Sequence, residues 1–149
     1  HQILWVQEEF RQMKYLYEAE IPVPRPIAIS GLVILMEFIG NDLEPAERLS
    51  DCDLDKEEAE DAFRQSLKIL EAIVESGRIH GDFSAFNLLW HNGKAIAIDF
   101  PQIVSIGSNS SARELLHRDI TSLCKSFKRF KIDADPERIF NRLVRKIEW

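Results

Sequence analysis

The sequence predicts an α+β fold, on three observations. Several segments repeat apolar residues at helical spacing, two short apolar runs are joined by Asn92-Gly93, and 149 residues that are 45% hydrophobic suffice for one core. No internal repeat divides the chain, so one domain is expected.

Taken in order, Ile3, Val6, Phe10, Met13, Leu16 and Tyr17 stand three and four residues apart and predict a helix from Ile3 to Ala19. Leu32 to Met36 predicts a buried strand. Asp55 to Ser76 predicts a second helix, with Ala59, Ala62, Phe63, Leu67, Leu70 and Val74 on its packing face and Gly77 as its stop. Asn87-Leu88-Leu89-Trp90 and Ala95-Ile96-Ala97-Ile98 predict two buried strands. The Asn-Gly pair between them tolerates the positive φ that a tight hairpin turn needs. Ser111 and Glu114 have the spacing of a capping box, opening a helix that runs toward Lys131. Asp135-Pro136 opens a last helix that packs through Ile139, Phe140, Leu143, Val144 and Ile147.

The formal net charge of −6 averages two unlike regions. Between Glu37 and Asp61 eleven acidic residues stand against Arg48 and Lys56, a solvated loop and helix start or a docking surface. Between Arg113 and Lys131 six basic residues stand against Glu114 and Asp119, a solvated helix face or a contact for nucleic-acid phosphates. No apolar run approaches the roughly 20 residues that span a bilayer, and no signal peptide is visible, so no membrane partner is expected. Cys52 and Cys124 lack metal-ligand spacing and fit a reducing compartment, the cytoplasm.

The chemistry lies in His80-Gly81-Asp82-Phe83-Ser84-Ala85-Phe86-Asn87 and, twelve residues later, Asp99-Phe100-Pro101. Phosphoryl transfer needs position and charge neutralisation: one carboxylate facing the attacking hydroxyl, another carboxylate and an amide oxygen converging on a metal ion. In the kinase pattern H-R-D-x-x-x-x-N the Asp and the Asn five residues on supply the first and the last of these, as Asp82 and Asn87 do here; Asp99 stands where the D-F-G Asp holds the second metal contact. Pairing of the two predicted strands brings Asn87 and Asp99 to one open end, beside Asp82. A His-Gly-Asp turn alone is equally a backbone cap; the combination is what points to kinase chemistry. His80 is expected as a buried scaffold residue and His91 as an exposed turn residue.

These residues resemble the RIO kinases, an atypical branch of the protein kinase-like fold. The resemblance runs in order through Ile21-Pro22-Val23-Pro24-Arg25-Pro26, Leu35-Met36-Glu37-Phe38-Ile39-Gly40, the loop from His80 to Asn87, Ile98-Asp99-Phe100-Pro101-Gln102, and Glu114-Leu115-Leu116-His117-Arg118-Asp119. It implies a protein kinase-like α+β domain, residues 1–40 ending the small N-terminal lobe and 41–149 forming the helical C-terminal lobe. It also implies ATP with Mg2+, or Mn2+ in its place. Asp82 then resembles the catalytic Asp, Ser84 the small hydroxyl residue near the transferred phosphate, and Asn87 and Asp99 the metal ligands. Met36 resembles the residue at the back of the adenine pocket, with the backbone of Glu37 and Ile39 bonding the adenine edge. Glu9, with Glu8 as the second choice, resembles the small-lobe Glu that pairs with a phosphate-binding Lys, and Asp119 the Asp that bonds the catalytic-loop backbone.

That Lys and a Gly-rich phosphate loop have no match here, since the sequence begins at His1 within the first helix and Lys14 lies in the helix itself. The expectation is a fragment of a larger kinase, with little ATP turnover by itself. Only about a dozen residues separate Asp99 from the helix near Ser111, and no Ala-Pro-Glu element follows, as in RIO kinases. The resemblance implies ATPase-like switching or autophosphorylation in small ribosomal subunit maturation, with the pre-ribosomal subunit or its rRNA as partner; it also allows Asp99 itself to receive the phosphoryl group. Two alternatives share the loop: a small-molecule phosphotransferase of the aminoglycoside or choline kinase type, against which Pro101-Gln102 and the compact C-terminal part speak, and a nucleotide-binding pseudokinase scaffold, against which the intact Asp82, Asn87 and Asp99 speak.

Overall fold

The computed structural model describes residues 2–147 and 149. Its first helix, α1 (Gln2–Glu18), buries Gln12, Met13 and Leu16, whereas Ile3 and Tyr17 are 41% exposed. Only the C-terminal half of the expected stripe meets the core, because the chain turns there: Ile21 N donates to Leu16 O at 3.1 Å and Ile21 and Val23 enter the core directly after.

Strands β1 (Pro26–Ser30) and β2 (Val33–Met36) pair antiparallel around Gly31, whose φ of +58° suits a residue without a Cβ. The expected burial of Leu32 to Met36 is not met: Leu32, Val33 and Leu35 are more than half exposed, and Ile34 alone of the five packs on the core. A two-stranded ribbon has two faces, and here α1 packs against the ribbon without covering both. Next, β3 (Gly40–Asn41) and β4 (Glu44–Pro45) form a tight pair, and β5 (Glu47–Arg48) leaves them to join a different sheet.

Helix α2 (Lys56–Glu75) starts where expected, with the Asp55 carboxylate accepting Glu58 N–H at 2.8 Å, and is followed by Gly77 at φ +90°. Its buried face is Ala59, Ala62, Ser66, Ile69, Leu70, Ile73 and Val74, rotated from the expected one, so that Phe63 and Leu67 are only half-buried at its edge. Phe63 nonetheless meets Phe127 edge-to-face, ring centroids 5.2 Å apart.

Strand β6 (Arg78–Ile79) pairs with β9 (Val104–Ser105), so residues 80–103 leave and return at one base. Within that excursion β7 (Leu88–His91) and β8 (Lys94–Ala97) make the predicted hairpin, and β5 completes a sheet of order β5-β7-β8. Asn92 and Gly93 sit at φ 51° and 73°, the pair of positive angles of a type I′ turn.

Helix α3 (Ala112–Ser126) departs from expectation at both ends. Ser111 makes no side-chain cap; Asn109 Oδ1 instead accepts the Ser111 N–H at 2.8 Å, so the capping box is not formed. The helix also stops before Lys131, because Phe127 is fully buried and a 3-10 turn over Lys128–Phe130 ends with Lys131 in the left-handed region. Helix α4 (Pro136–Val144) is capped by the Asp135 carboxylate on Glu137 N–H and buries Leu143; Arg142 and Lys146 both reach Glu71 on α2, at 2.8 and 3.1 Å. Those partners pull the Glu71 carboxyl down against the upward push of its burial.

One core joins these elements through Leu16, Leu70, Ile73, Phe83, Phe100, Leu116 and Phe127. Cys52 and Cys124 are both free and buried, and burial raises both thiols. Among the described residues no helix is long and apolar enough to cross a membrane. Leu70→Ala is expected to lower unfolding stability by about 2–5 kcal/mol, whereas Leu43→Ala, at a residue 95% exposed, changes it by less than about 0.5 kcal/mol; chemical denaturation of the two variants checks the contrast.

Candidate active site

The hairpin fixes two of the candidate residues through its backbone. Ile98 N donates to Asn87 O at 3.0 Å, one step beyond the last ladder pair Leu88 and Ala97, so Asn87 and Asp99 flank the open end together. Neither lies in a strand. Asn87 closes a 3-10 turn over Ala85–Asn87, and Asp99 sits at φ +58°, an uncommon angle for a non-glycine residue that turns the chain out of β8.

Asn87 is 3% exposed, and its Nδ2 donates to Asp82 O at 2.8 Å and to Asp82 Oδ2 at 3.0 Å. Its amide oxygen receives no hydrogen bond among the described residues. The Asp82 carboxylate is thus held on one oxygen while the residue stays exposed. Ser84 Oγ accepts Phe86 N–H at 3.2 Å, which leaves its hydroxyl proton to donate outward.

Buried groups hold this loop from below. Asp119 on α3 is 1% exposed and accepts Gly81 N–H at 2.8 Å on Oδ2 and Phe83 N–H at 3.0 Å on Oδ1; Arg118 donates to Gly81 O. Burial pushes the Asp119 carboxyl up, opposed by those two backbone donors. His80 is fully buried: its Nδ1 accepts Asp82 N–H at 3.2 Å, so Nε2 carries the proton and donates to Ile98 O at 3.1 Å. Burial pushes its pKa down, against the pull of Ile98 O and the Asp119 charge. Gly81, at φ +90°, has the Gln102 carbonyl where a Cβ would stand, only 2.5 Å away, so the Pro101-Gln102 segment can lie against the loop only if residue 81 is glycine.

The candidates form two groups. Asp82, Ser84, Asn87 and Asp99 share the hairpin end, and Glu9 reaches it from α1, its Oε2 accepting Phe100 N–H at 3.3 Å; Glu8 turns instead to Arg11 and Gln12. Met36, Glu37 and Ile39 form the second group and make no hydrogen bond to the first. Glu37 N donates to Arg25 O at 2.8 Å, Arg25 N donates to the Glu37 carboxylate at 3.1 Å, and Ile39 O accepts Ala46 N–H at 2.9 Å. The Glu37 carbonyl and the Ile39 N–H have no hydrogen-bond partner among the described residues.

Sequence reasoning missed Arg48. Its Nη1 donates to Phe86 O at 2.7 Å and lies 3.9 Å from Asp99 Oδ2, and its guanidinium stacks 4.2 Å from the Phe86 ring centroid. The signal available was that Arg48 is one of two basic residues in the acidic stretch from Glu37 to Asp61.

The donor set suits Mg2+. Among the described residues no cluster of three or more His, Cys, Asp and Glu side chains could cage an ion, while the Asp99 carboxylate and the free Asn87 amide oxygen are hard donors at one place. A cation that takes one or two protein carboxylates and fills its other positions with water and phosphate oxygens needs no more.

Gly81→Ala is expected to displace Gln102 or the loop and to cost about 2 kcal/mol or more, from strain at positive φ plus the clash; thermal unfolding reads it, and an unchanged midpoint would show that the loop relaxes freely. His80 gives a pH dependence. Its folded pKa lies below the unfolded value, so stability is intact above about pH 6.5 and is lost as the pH falls toward the depressed folded value. Between about pH 7.5 and 5.5 the wild-type chain should lose more stability than His80→Gln, as chemical denaturation at the two pH values would read.

Comparison with known proteins shows the family. The family model of the RIO domain matches residues 1–139. The chain is 32% identical over 136 residues to the RIO-type serine/threonine-protein kinase Rio1 of Haloferax volcanii, covering 91% of this chain and 46% of that protein. It is 33% identical over 129 residues to the serine/threonine-protein kinase RIO1 of Homo sapiens, covering 86% and 22%. To the Rio1 kinase of Thermoplasma acidophilum it is 29% identical over 143 residues, covering 96% and 74%. The chain therefore spans less than half of the first two relatives, and with the RIO domain matched along nearly its whole length it belongs to the RIO family of serine/threonine kinases.

Proposed function

We propose that this chain carries the catalytic loop and metal ligands of an ATP-dependent RIO-type phosphotransferase that acts with Mg2+ or Mn2+. The observation that carries the reading is the Asp82 carboxylate held by the Asn87 amide, with Asp99 beside it at the hairpin end. Asp82 is exposed and held by Asn87, so it can accept a hydrogen bond from a serine or threonine hydroxyl and take its proton as the new bond from that oxygen to the γ-phosphorus forms and the bond from phosphorus to the leaving ADP oxygen breaks. Ser84, with its free hydroxyl proton, donates to an oxygen of the transferred phosphate. A bound divalent cation would neutralise charge on the nucleotide phosphates, with the Asp99 carboxylate and the Asn87 amide oxygen as its protein ligands. Glu9 holds Phe100 N–H and so steadies the peptide that follows Asp99.

The Glu37 carbonyl and Ile39 N–H supply the edge for adenine, beside Met36. In this reading residues 1–40 end the small lobe, residues 41–149 form the large one, and the enzyme works in the cytoplasm. The basic residues between Arg113 and Lys131 are its means of contact with the pre-ribosomal small subunit or its rRNA, in line with the family. The acceptor, protein hydroxyl or water, is read by the test.

ATP labelled at the γ-phosphate, given with Mg2+ to the protein, decides the matter. Asp82→Ala should cut phosphoryl transfer by about 100-fold or more while leaving ATP binding within a few-fold. Transfer unaffected by Asp82→Ala sinks the reading, and label appearing only on an added alcohol or aminoglycoside moves it to a small-molecule phosphotransferase.

A further inference from the structure

Arg48 stands beside the proposed metal ligands without being one of them. It lies on β5, opposite Leu89 on β7, and so stands against the turn that carries Asn87. Its three contacts differ in strength. The bond to Phe86 O at 2.7 Å is a charge-assisted hydrogen bond, and the stacking on Phe86 adds a cation–π contact. The approach to Asp99 Oδ2, at 3.9 Å, is too long for a hydrogen bond and acts through charge alone. The guanidinium is therefore tethered at Phe86 and only leans on Asp99, a contact that can be given up without moving the tether.

We propose that Arg48 is a built-in counter-cation at the metal-ligand pair, one that opposes binding of a bare divalent cation and makes metal binding depend on a nucleotide polyphosphate. The proposal rests on Asp99 and Asn87 being the metal ligands. With no nucleotide present, a divalent cation that takes the Asp99 carboxylate must sit beside a fixed positive charge. When a polyphosphate accompanies the metal, its negative oxygens become the partner of the guanidinium and the penalty turns into attraction. The side chains of Arg48 and Asp99 are 34% and 54% exposed, so the effect is screened by solvent and salt and is modest in size. Arg48 is thus a positioning residue, acting on Asp99 and on the phosphates by charge.

The test is Mn2+ binding to the chain, followed by electron paramagnetic resonance of the free ion, with and without ADP, at low ionic strength. Arg48→Gln should tighten nucleotide-free Mn2+ binding by about three- to ten-fold and weaken Mn2+ binding in the presence of ADP by a similar factor. Arg48→Lys, which keeps the charge, should stay near wild type in both. Should Arg48→Gln not fold, as its circular dichroism would show, Arg48→Met reads the same neutral state. Equal or weaker nucleotide-free Mn2+ binding by the neutral variant overturns the proposal, since loss of a purely structural anchor at Phe86 would loosen the ligands. Asp99→Asn separates the two readings: if it leaves Mn2+ binding intact, the assignment of the metal ligands fails, whereas if it abolishes binding and Arg48→Gln has no effect, only the role of Arg48 fails.

Discussion

The buried carboxylate of Asp119 is the interaction on which the site depends. A charge with 1% exposure is expensive unless it is bonded, and its two oxygens are taken by the N–H groups of Gly81 and Phe83, one on each side of Asp82. Helix α3 supplies that carboxylate from a position packed by Leu116, Ile120 and Leu123, so the loop is fixed to the core and not to solvent. Removing either partner would leave an unpaired buried group, which binds loop and helix to one another more firmly than two ordinary hydrogen bonds would.

From that anchor the order passes outward by short steps. Asp82 N–H is held by His80 Nδ1, whose other nitrogen holds Ile98 O, so one neutral ring links the loop to the end of β8. Asn87 then ties the Asp82 side chain and, through its carbonyl, Ile98 N–H. Asp99 follows at once in the left-handed region, and Glu9 fixes the next peptide from α1. The pairing of β6 with β9 closes the whole excursion. The exposed Asp82 carboxylate is thus oriented by the buried Asn87 amide, and its backbone by the buried His80 ring.

Local chemistry explains which parts could be read from the sequence. The Asn92-Gly93 turn, the start of α2 at Asp55 and the meeting of Asp82 with Asn87 are decided within a few residues, and they appear in the structure where they were expected. Burial and helix ends are decided by distant partners. The exposed face of β2, the rotated face of α2 and the early end of α3 at Phe127 depend on which elements lie opposite, which no local pattern states. Ser111 lost its capping role to Asn109, a neighbour with an equally good oxygen. Arg48 was legible only as an odd charge in an acidic stretch; its meaning comes from β5 crossing to β7, a pairing of two residues that leaves no periodicity to read.

The division between buried and exposed polar groups has a chemical reason. Phosphoryl transfer asks for position, and position is lost if the groups that define it must also exchange ligands during turnover. His80 and Asp119 are spent on backbone and can hold the loop in place, whereas Asp82, Asp99 and the Asn87 oxygen keep open valences, which the proposed reaction would use for hydroxyl, metal and phosphate. Arg48 belongs to both classes, bonded at Phe86 and free toward Asp99. A residue so placed cannot set the geometry of the site alone, but it can set the charge that an incoming cation meets, and charge is the quantity that a phosphoryl-transfer site has to balance.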